Sequence, residues 1–231
     1  LGPLSFYIPA LGYWLSGNLG VAMPVGLAAV LVLTAPIMIH VLQTRVRPLI
    51  AVPWAIFLSL LMITPMNTGE IVINVSFAMF YNRIGWALLG LLLVMHLRPS
   101  RPVRYQRALD AGAAAVLTLL LLYTKATYGV VALGCLCVML LQPVQRRWAA
   151  AALVAVGAAA GVIELFWGGT RMHIEDLQVA SHVSAVLPLR DYIVSMFVTS
   201  GEYIMFGCIA VLALWQNGRL QDAIFYAFCA C

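Results

Sequence analysis

Four ionisable residues stand inside long apolar stretches of this sequence: Arg83, Lys125, Glu164 and Glu202. A charge within a membrane-crossing helix costs about 2.5–3.5 kcal/mol on insertion scales, so by default it faces a bundle interior and marks a functional site. Arginine and lysine in such a place hold phosphate groups through charge-assisted hydrogen bonds, and a carboxylate or histidine can take a proton from an attacking hydroxyl. Beside Arg83 stand Tyr81 and Asn82, and the polar segment after Glu164 supplies Arg171, His173, Glu175, Asp176 and His182. A lone loop histidine is usually just solvated. For His173 a chemical role rests on its neighbours Arg171, Glu175 and Asp176.

The elements that must position these groups follow from composition. Of 231 residues, 64% are hydrophobic and 9% charged, against roughly 45–50% and about 25% in a soluble domain. So few charges cannot cover a water-facing surface. The expected fold is all-α, one polytopic transmembrane bundle of seven or eight helices over residues 1–231. Spans are expected at about 19–42, 49–65, 70–97, 108–124, 126–142, 148–167 and 189–215, with a half-length span from about 220. Residues 1–18, rich in Pro, Gly and aromatics, suit an interfacial or re-entrant segment. The chain opens on Leu1 and closes within an apolar run, so it reads as truncated at both ends.

Orientation follows from the thirteen basic residues. Arg45, Arg47, Arg98, Arg101, Arg104, Arg107, Arg146, Arg147 and Arg219 fall on one side if the spans alternate, and the positive-inside rule makes that side cytoplasmic. Residues 108–142 as one helix would extend about 52 Å, far beyond a bilayer. A hairpin turning at 125–129 is expected instead, with Gly129 giving the turn its freedom. Counted from the inner helix ends, Arg83, Lys125, Glu164 and Glu202 then stand about 20–27 Å up a core of roughly 30 Å. They form one layer in the outer third. Arg83 is expected to pair with Glu202, or failing that with Glu164. Lys125, on a long stem at a turn, can equally snorkel to water.

Other features speak for architecture. Gly157 and Gly161 form a GxxxG motif, which lets a neighbouring backbone approach. The cysteines Cys135, Cys137, Cys208, Cys229 and Cys231 lack the spacing of a zinc or redox site and read as small apolar residues. His40 and His96 fall at inner helix ends, where headgroups are the expected neighbours. The segment 168–190 is an outer loop, part of which can lie on the membrane as a short amphipathic helix. No nucleotide-binding or zinc-protease motif is present. Topology accounts for the basic loops, so nucleic acid is not an expected partner.

The runs Phe80-Tyr81-Asn82-Arg83-Ile84-Gly85-Trp86-Ala87-Leu88-Leu89 and Leu122-Tyr123-Thr124-Lys125-Ala126-Thr127-Tyr128-Gly129 resemble segments of multispanning bacterial surface-polysaccharide proteins. These are the O-antigen polymerase and ligase type and related lipid-linked-sugar glycosyltransferases. The outer loop here, about twenty residues long, departs from the large periplasmic loop of the ligases. The resemblance implies an inner-membrane protein acting at its outer face on a polyprenyl-diphosphate-linked glycan. In that scheme Arg83, Lys125 and Arg171, with Tyr81 and Asn82, bind the anionic head. Glu164, His173, Glu175 and Glu202 are the candidate catalytic bases, and no metal or other cofactor is required. The competing classes are a secondary transporter and a non-catalytic membrane subunit whose charges tie helices together. Transporters usually place their site nearer the midplane and show internal repeats, and none is evident here.

Overall fold

The computed structural model describes residues 2–63 and 77–183, and the single positions 208, 211, 212 and 224. Among the described residues the chain forms eight α-helices and no strand: α1 (Leu4–Ser16), α2 (Leu19–Arg45), α3 (Pro48–Ile63), α4 (Phe77–Val94), α5 (Gln106–Thr124), α6 (Ala126–Leu140), α7 (Arg146–Trp167) and α8 (Gly169–Val183). Three of them, α2, α5 and α7, are long and apolar enough to cross a membrane, and α3, α4 and α6 are apolar but shorter. Leu49, Leu165 and Phe166 are each at least 85% exposed. Large apolar side chains spread over a helix exterior in this way suit contact with lipid rather than water.

The helices alternate in direction. The C-terminal ends of α2, α4 and α6 and the N-terminal ends of α5 and α7 meet through side chains of Arg45, His96, Asp110, Gln142 and Gln145, at the Asp110 end of the bundle. At the opposite end the Gly2 N–H and the Ser5 hydroxyl both donate to the Thr124 carbonyl, at 2.9 and 2.8 Å. That is the Lys125 end. α5 is the centre of the bundle, packed against α1, α4, α6 and α7. Its buried face carries Ala114, Leu117, Thr118 and Leu121, where small residues alternate with leucines and let neighbours come close.

Residues 1–18, expected at the interface, contain α1, which folds back antiparallel on α2. The crossing depends on two glycines. A Cβ on Gly12 would lie 1.7 Å from the Ala22 carbonyl oxygen, and one on Gly26 would lie 2.1 Å from that of Ile8. Gly17, at φ 67°, ends α1 in the left-handed region, and its N–H donates to the Tyr13 carbonyl at 2.7 Å. The Asn18 side chain then accepts from Gly20 N at 2.8 Å and starts α2, as an N-cap asparagine does.

The hairpin expected within 108–142 is present and tighter than anticipated. One extended residue, Lys125 at φ −157° and ψ 124°, separates α5 from α6. Gly129 is already inside α6, and its role is close approach: a Cβ there would fall 2.5 Å from the Leu122 Cα. Gly157 and Gly161 differ from expectation. A Cβ on either would meet nothing within 4 Å among the described residues, because their face of α7 points outward with the exposed Val154 and Val162.

Candidate functional site

The Lys125 end gathers four of the residues singled out from the sequence. α4 presents Tyr81, Asn82 and Arg83 on successive positions. Tyr81 and Arg83 are buried at 4% and 5% exposure, and Asn82 is half-buried between them. The one-residue turn delivers Lys125 to the same place, where its Nζ donates to Asn82 Oδ1 at 3.0 Å. The Tyr128 hydroxyl donates to that oxygen at 3.4 Å, and the ammonium stands 5.5 Å from the Tyr128 ring centre. Both partners of Asn82 Oδ1 are donors, which fixes the amide with its oxygen towards them. Gly85 makes room for this arrangement, since a Cβ there would lie 2.5 Å from the Tyr128 ring.

Among the described residues the contacts of the Lys125 ammonium are neutral groups, Asn82 and Tyr128, and no carboxylate pairs with it. An ammonium half-buried among dipoles remains an attractive site for an anion. Arg83 is engaged in an interaction of its own. The expected pair of Arg83 with Glu202 lies outside the described residues, as Glu202 does.

On the other side of α5, at the same end, an apolar groove of about 490 Å³ is lined by Leu4 and Tyr7 of α1, Leu119, Leu120 and Tyr123 of α5, and Ile163 and Trp167 of α7. Tyr7 closes on Trp167 edge to face at 5.1 Å. The Tyr123 hydroxyl shares a 2.7 Å hydrogen bond with Thr170 Oγ1, which ties the top of α5 to α8.

α8 is the helix expected after Glu164, and Glu164 is what starts it. Its Oε2 accepts from the backbone N–H groups of Thr170 and Arg171, both at 3.0 Å. A carboxylate at a helix N-terminus satisfies unpaired donors and complements the dipole. Its described contacts are thus with α8 rather than with Arg83. Arg171 Nε donates to Glu175 at 2.9 Å across one exposed helical turn, and this hydrogen bond, with the carboxylate charge, raises the Arg171 pKa above its ordinary value. His173 lies on the buried face of the same helix at 5% exposure.

The Asp110 end holds a second polar cluster. Asp110, 2% exposed, takes Arg45 Nη2 at 2.8 Å, His40 Nε2 at 3.1 Å and the Gln106 amide at 2.9 Å. Arg45 Nε donates to the Leu97 carbonyl at 3.0 Å and its Nη1 to Thr44 Oγ1 at 3.0 Å. His40 and His96 thus turn inward from their expected headgroup contacts. His40 meets Asp110, and the buried His96 meets the Gln142 amide while its carbonyl accepts from Gln145 Nε2. A buried carboxylate has several acceptor sites to satisfy, and the His40 ring supplies one donor beside Arg45 and Gln106. The signal was in the sequence: Gln106 and Asp110 share a helix face at i,i+4, and Asp110 is one of only two acids, with Asp222, on the arginine-rich side. Among the described residues no three His, Cys, Asp or Glu side chains gather as a metal site.

The sequence matches no protein-family profile, no curated protein and no solved structure. The Lys125 end offers cations and hydroxyls beside an apolar groove, and the Asp110 end offers a closed ion pair.

Proposed function

We propose that this chain is a multispanning bacterial inner-membrane protein of surface-polysaccharide assembly, with seven or eight spans and its arginine-rich end in the cytoplasm. Its Lys125 end faces outward and takes a polyprenyl-diphosphate-linked sugar for transfer or polymerisation. The observation that carries the reading is the half-buried Lys125 ammonium, held by Asn82 and Tyr128 without a counter-charge among the described residues. The ligand chemistry this end favours is an anionic head joined to an apolar tail. The diphosphate would meet Lys125, with Arg83 and Arg171 as further cations and Tyr81 and Asn82 as neutral partners. The tail would lie against lipid-exposed surface such as the groove at Tyr7 and Trp167. Glu164 holds the start of α8, which carries Glu175 and His173; with Glu202 these three supply the candidate bases. The sequence resemblance at 80–89 and 122–129 supports the same class.

The test is product formation. Lys125→Gln should abolish glycan assembly in cells while the protein still inserts in the membrane, and Lys125→Arg should retain part of it, since a guanidinium also binds diphosphate. Wild-type glycan from Lys125→Gln would remove the proposal. One observation favours a proton-coupled transporter instead: the partly buried His40 against the buried Arg45 and Asp110 pair, a set of groups that proton pathways use. Proton uptake into proteoliposomes that disappears in His40→Gln, with glycan assembly intact in Lys125→Gln, would select that class.

A further inference from the structure

Beneath the Asp110 cluster a cavity of about 480 Å³ opens between the first turns of α5 and α7 and the connection after α4. Arg45, Arg107, Arg146 and Arg147 line it, against the single carboxylate of Asp110. That carboxylate is already occupied by Arg45, His40 and Gln106. Arg107, Arg146 and Arg147 are exposed at the mouth, and no acidic side chain within the lining balances them.

Two long helices also begin at this cavity. Neither α5 nor α7 has a capping side chain, and neither has an acidic residue in its first turn. A helix start carries about half a positive charge and favours anions, yet here the first turns hold Arg107, Arg146 and Arg147. The N–H groups of Arg147 and Trp148 find no acceptor among the described residues. Membrane orientation accounts for arginine somewhere in these connections. It does not require that three of them surround a cavity at two uncapped helix starts, while Arg98 and Arg104 in the same connection stay outside it.

Gln145 adds an independent demand. It is 2% exposed, its amide nitrogen donates to the His96 carbonyl, and its Oε1 is buried without a donor. Gln145 is among the residues lining the cavity. The site therefore calls for anionic oxygens at its mouth and one hydroxyl or amine donor deeper in.

We infer that this cavity binds a phosphate ester, with its anionic oxygens held by Arg107, Arg146, Arg147 and the free N–H groups of α7, and a hydroxyl donating to Gln145 Oε1. The phosphate belongs either to a glycerol-headed phospholipid of the surrounding leaflet or to a soluble ester. Basic pockets between helices at this membrane level are suited to such headgroups. The inference does not depend on the chemistry assigned to the Lys125 end.

The full-length protein in phosphatidylcholine nanodiscs is titrated with sn-glycerol 3-phosphate, and separately compared with nanodiscs containing phosphatidylglycerol, reading the shift in thermal unfolding. Arg146→Gln/Arg147→Gln should weaken the response about tenfold or more, as loss of charge-assisted hydrogen bonds does. Arg98→Gln/Arg104→Gln, which removes equal charge outside the cavity, should leave it unchanged. A response to glycerol phosphate assigns a soluble ester, and a response to phosphatidylglycerol alone assigns a lipid headgroup. No response to either, equal responses in wild type and Arg146→Gln/Arg147→Gln, or equal losses in both double variants would overturn the inference. Both pairs of arginines are exposed, so the fold should survive either change, and unfolding midpoints without ligand check this.

Discussion

Replacing Asp110 by Asn keeps the shape of the side chain and removes its charge, which isolates the electrostatic part of the Asp110 cluster. In the wild type three donors converge on this carboxylate, at 2.8, 2.9 and 3.1 Å. The Arg45 side chain is 0% exposed and Asp110 is 2% exposed, so neither can turn to water when the other changes. The Leu97 carbonyl and Thr44 hydroxyl would still hold Arg45, but a buried guanidinium without its counter-charge typically costs about 3–5 kcal/mol. By comparison His40→Gln loses about one hydrogen bond at a partly exposed position, roughly 0.5–1.5 kcal/mol. Unfolding in detergent, followed by reversible denaturant titration, should therefore rank Asp110→Asn well below His40→Gln. The double variant Arg45→Leu/Asp110→Leu should recover most of the loss, because an apolar pair of similar volume is often as stable as a buried ion pair. An Asp110→Asn protein within about 1 kcal/mol of wild type, or a double variant no better than either single change, would refute the reasoning.

Three other outcomes are expected. Gly85→Ala should push the Tyr128 ring away from Asn82, since the added Cβ would fall 2.5 Å from it; glycan assembly should drop while Trp86→Phe, on the exposed side of the same helix, leaves it unchanged. Glu164→Ala should fray the start of α8 by about 1 kcal/mol, the usual worth of a cap, visible as faster hydrogen exchange at Thr170 and Arg171 with unchanged exchange at Ala114. In a cysteine-free background, a cysteine at Ser181 should react with a membrane-impermeant reagent in intact spheroplasts and one at Ser100 should not; the opposite pattern would invert the orientation.

The parts of the fold legible in the sequence are those set by apolar run length and by charge. The turn at Lys125 follows from a run too long for a bilayer, and α8 follows from the polar stretch after Glu164. Arg83 and Lys125 were expected at similar depth, with Asn82 next to Arg83 in the sequence, although depth along a helix says nothing of azimuth. That is why Tyr128, which faces them across Gly85, was missed. The Asp110 cluster was missed for a different reason. Counting Arg45 with the loop arginines treats it as solvated, whereas its two-residue connection to Pro48 and the return of the chain at Leu97 bury it. The role of Glu164 as a cap depends on where the chain turns at Gly168, in the left-handed region at φ 64°, and a Gly-Gly pair alone does not fix that angle.

The central claim is that the Lys125 ammonium holds an anionic head, and its most direct measurement is binding of a polyprenyl diphosphate to the full-length protein in nanodiscs. The account predicts that Lys125→Gln weakens Kd by about tenfold or more relative to wild type, with Lys125→Arg between them, since a hydrogen bond to a charged group contributes about 1.5–3 kcal/mol. A Kd for Lys125→Gln within about twofold of wild type would contradict it.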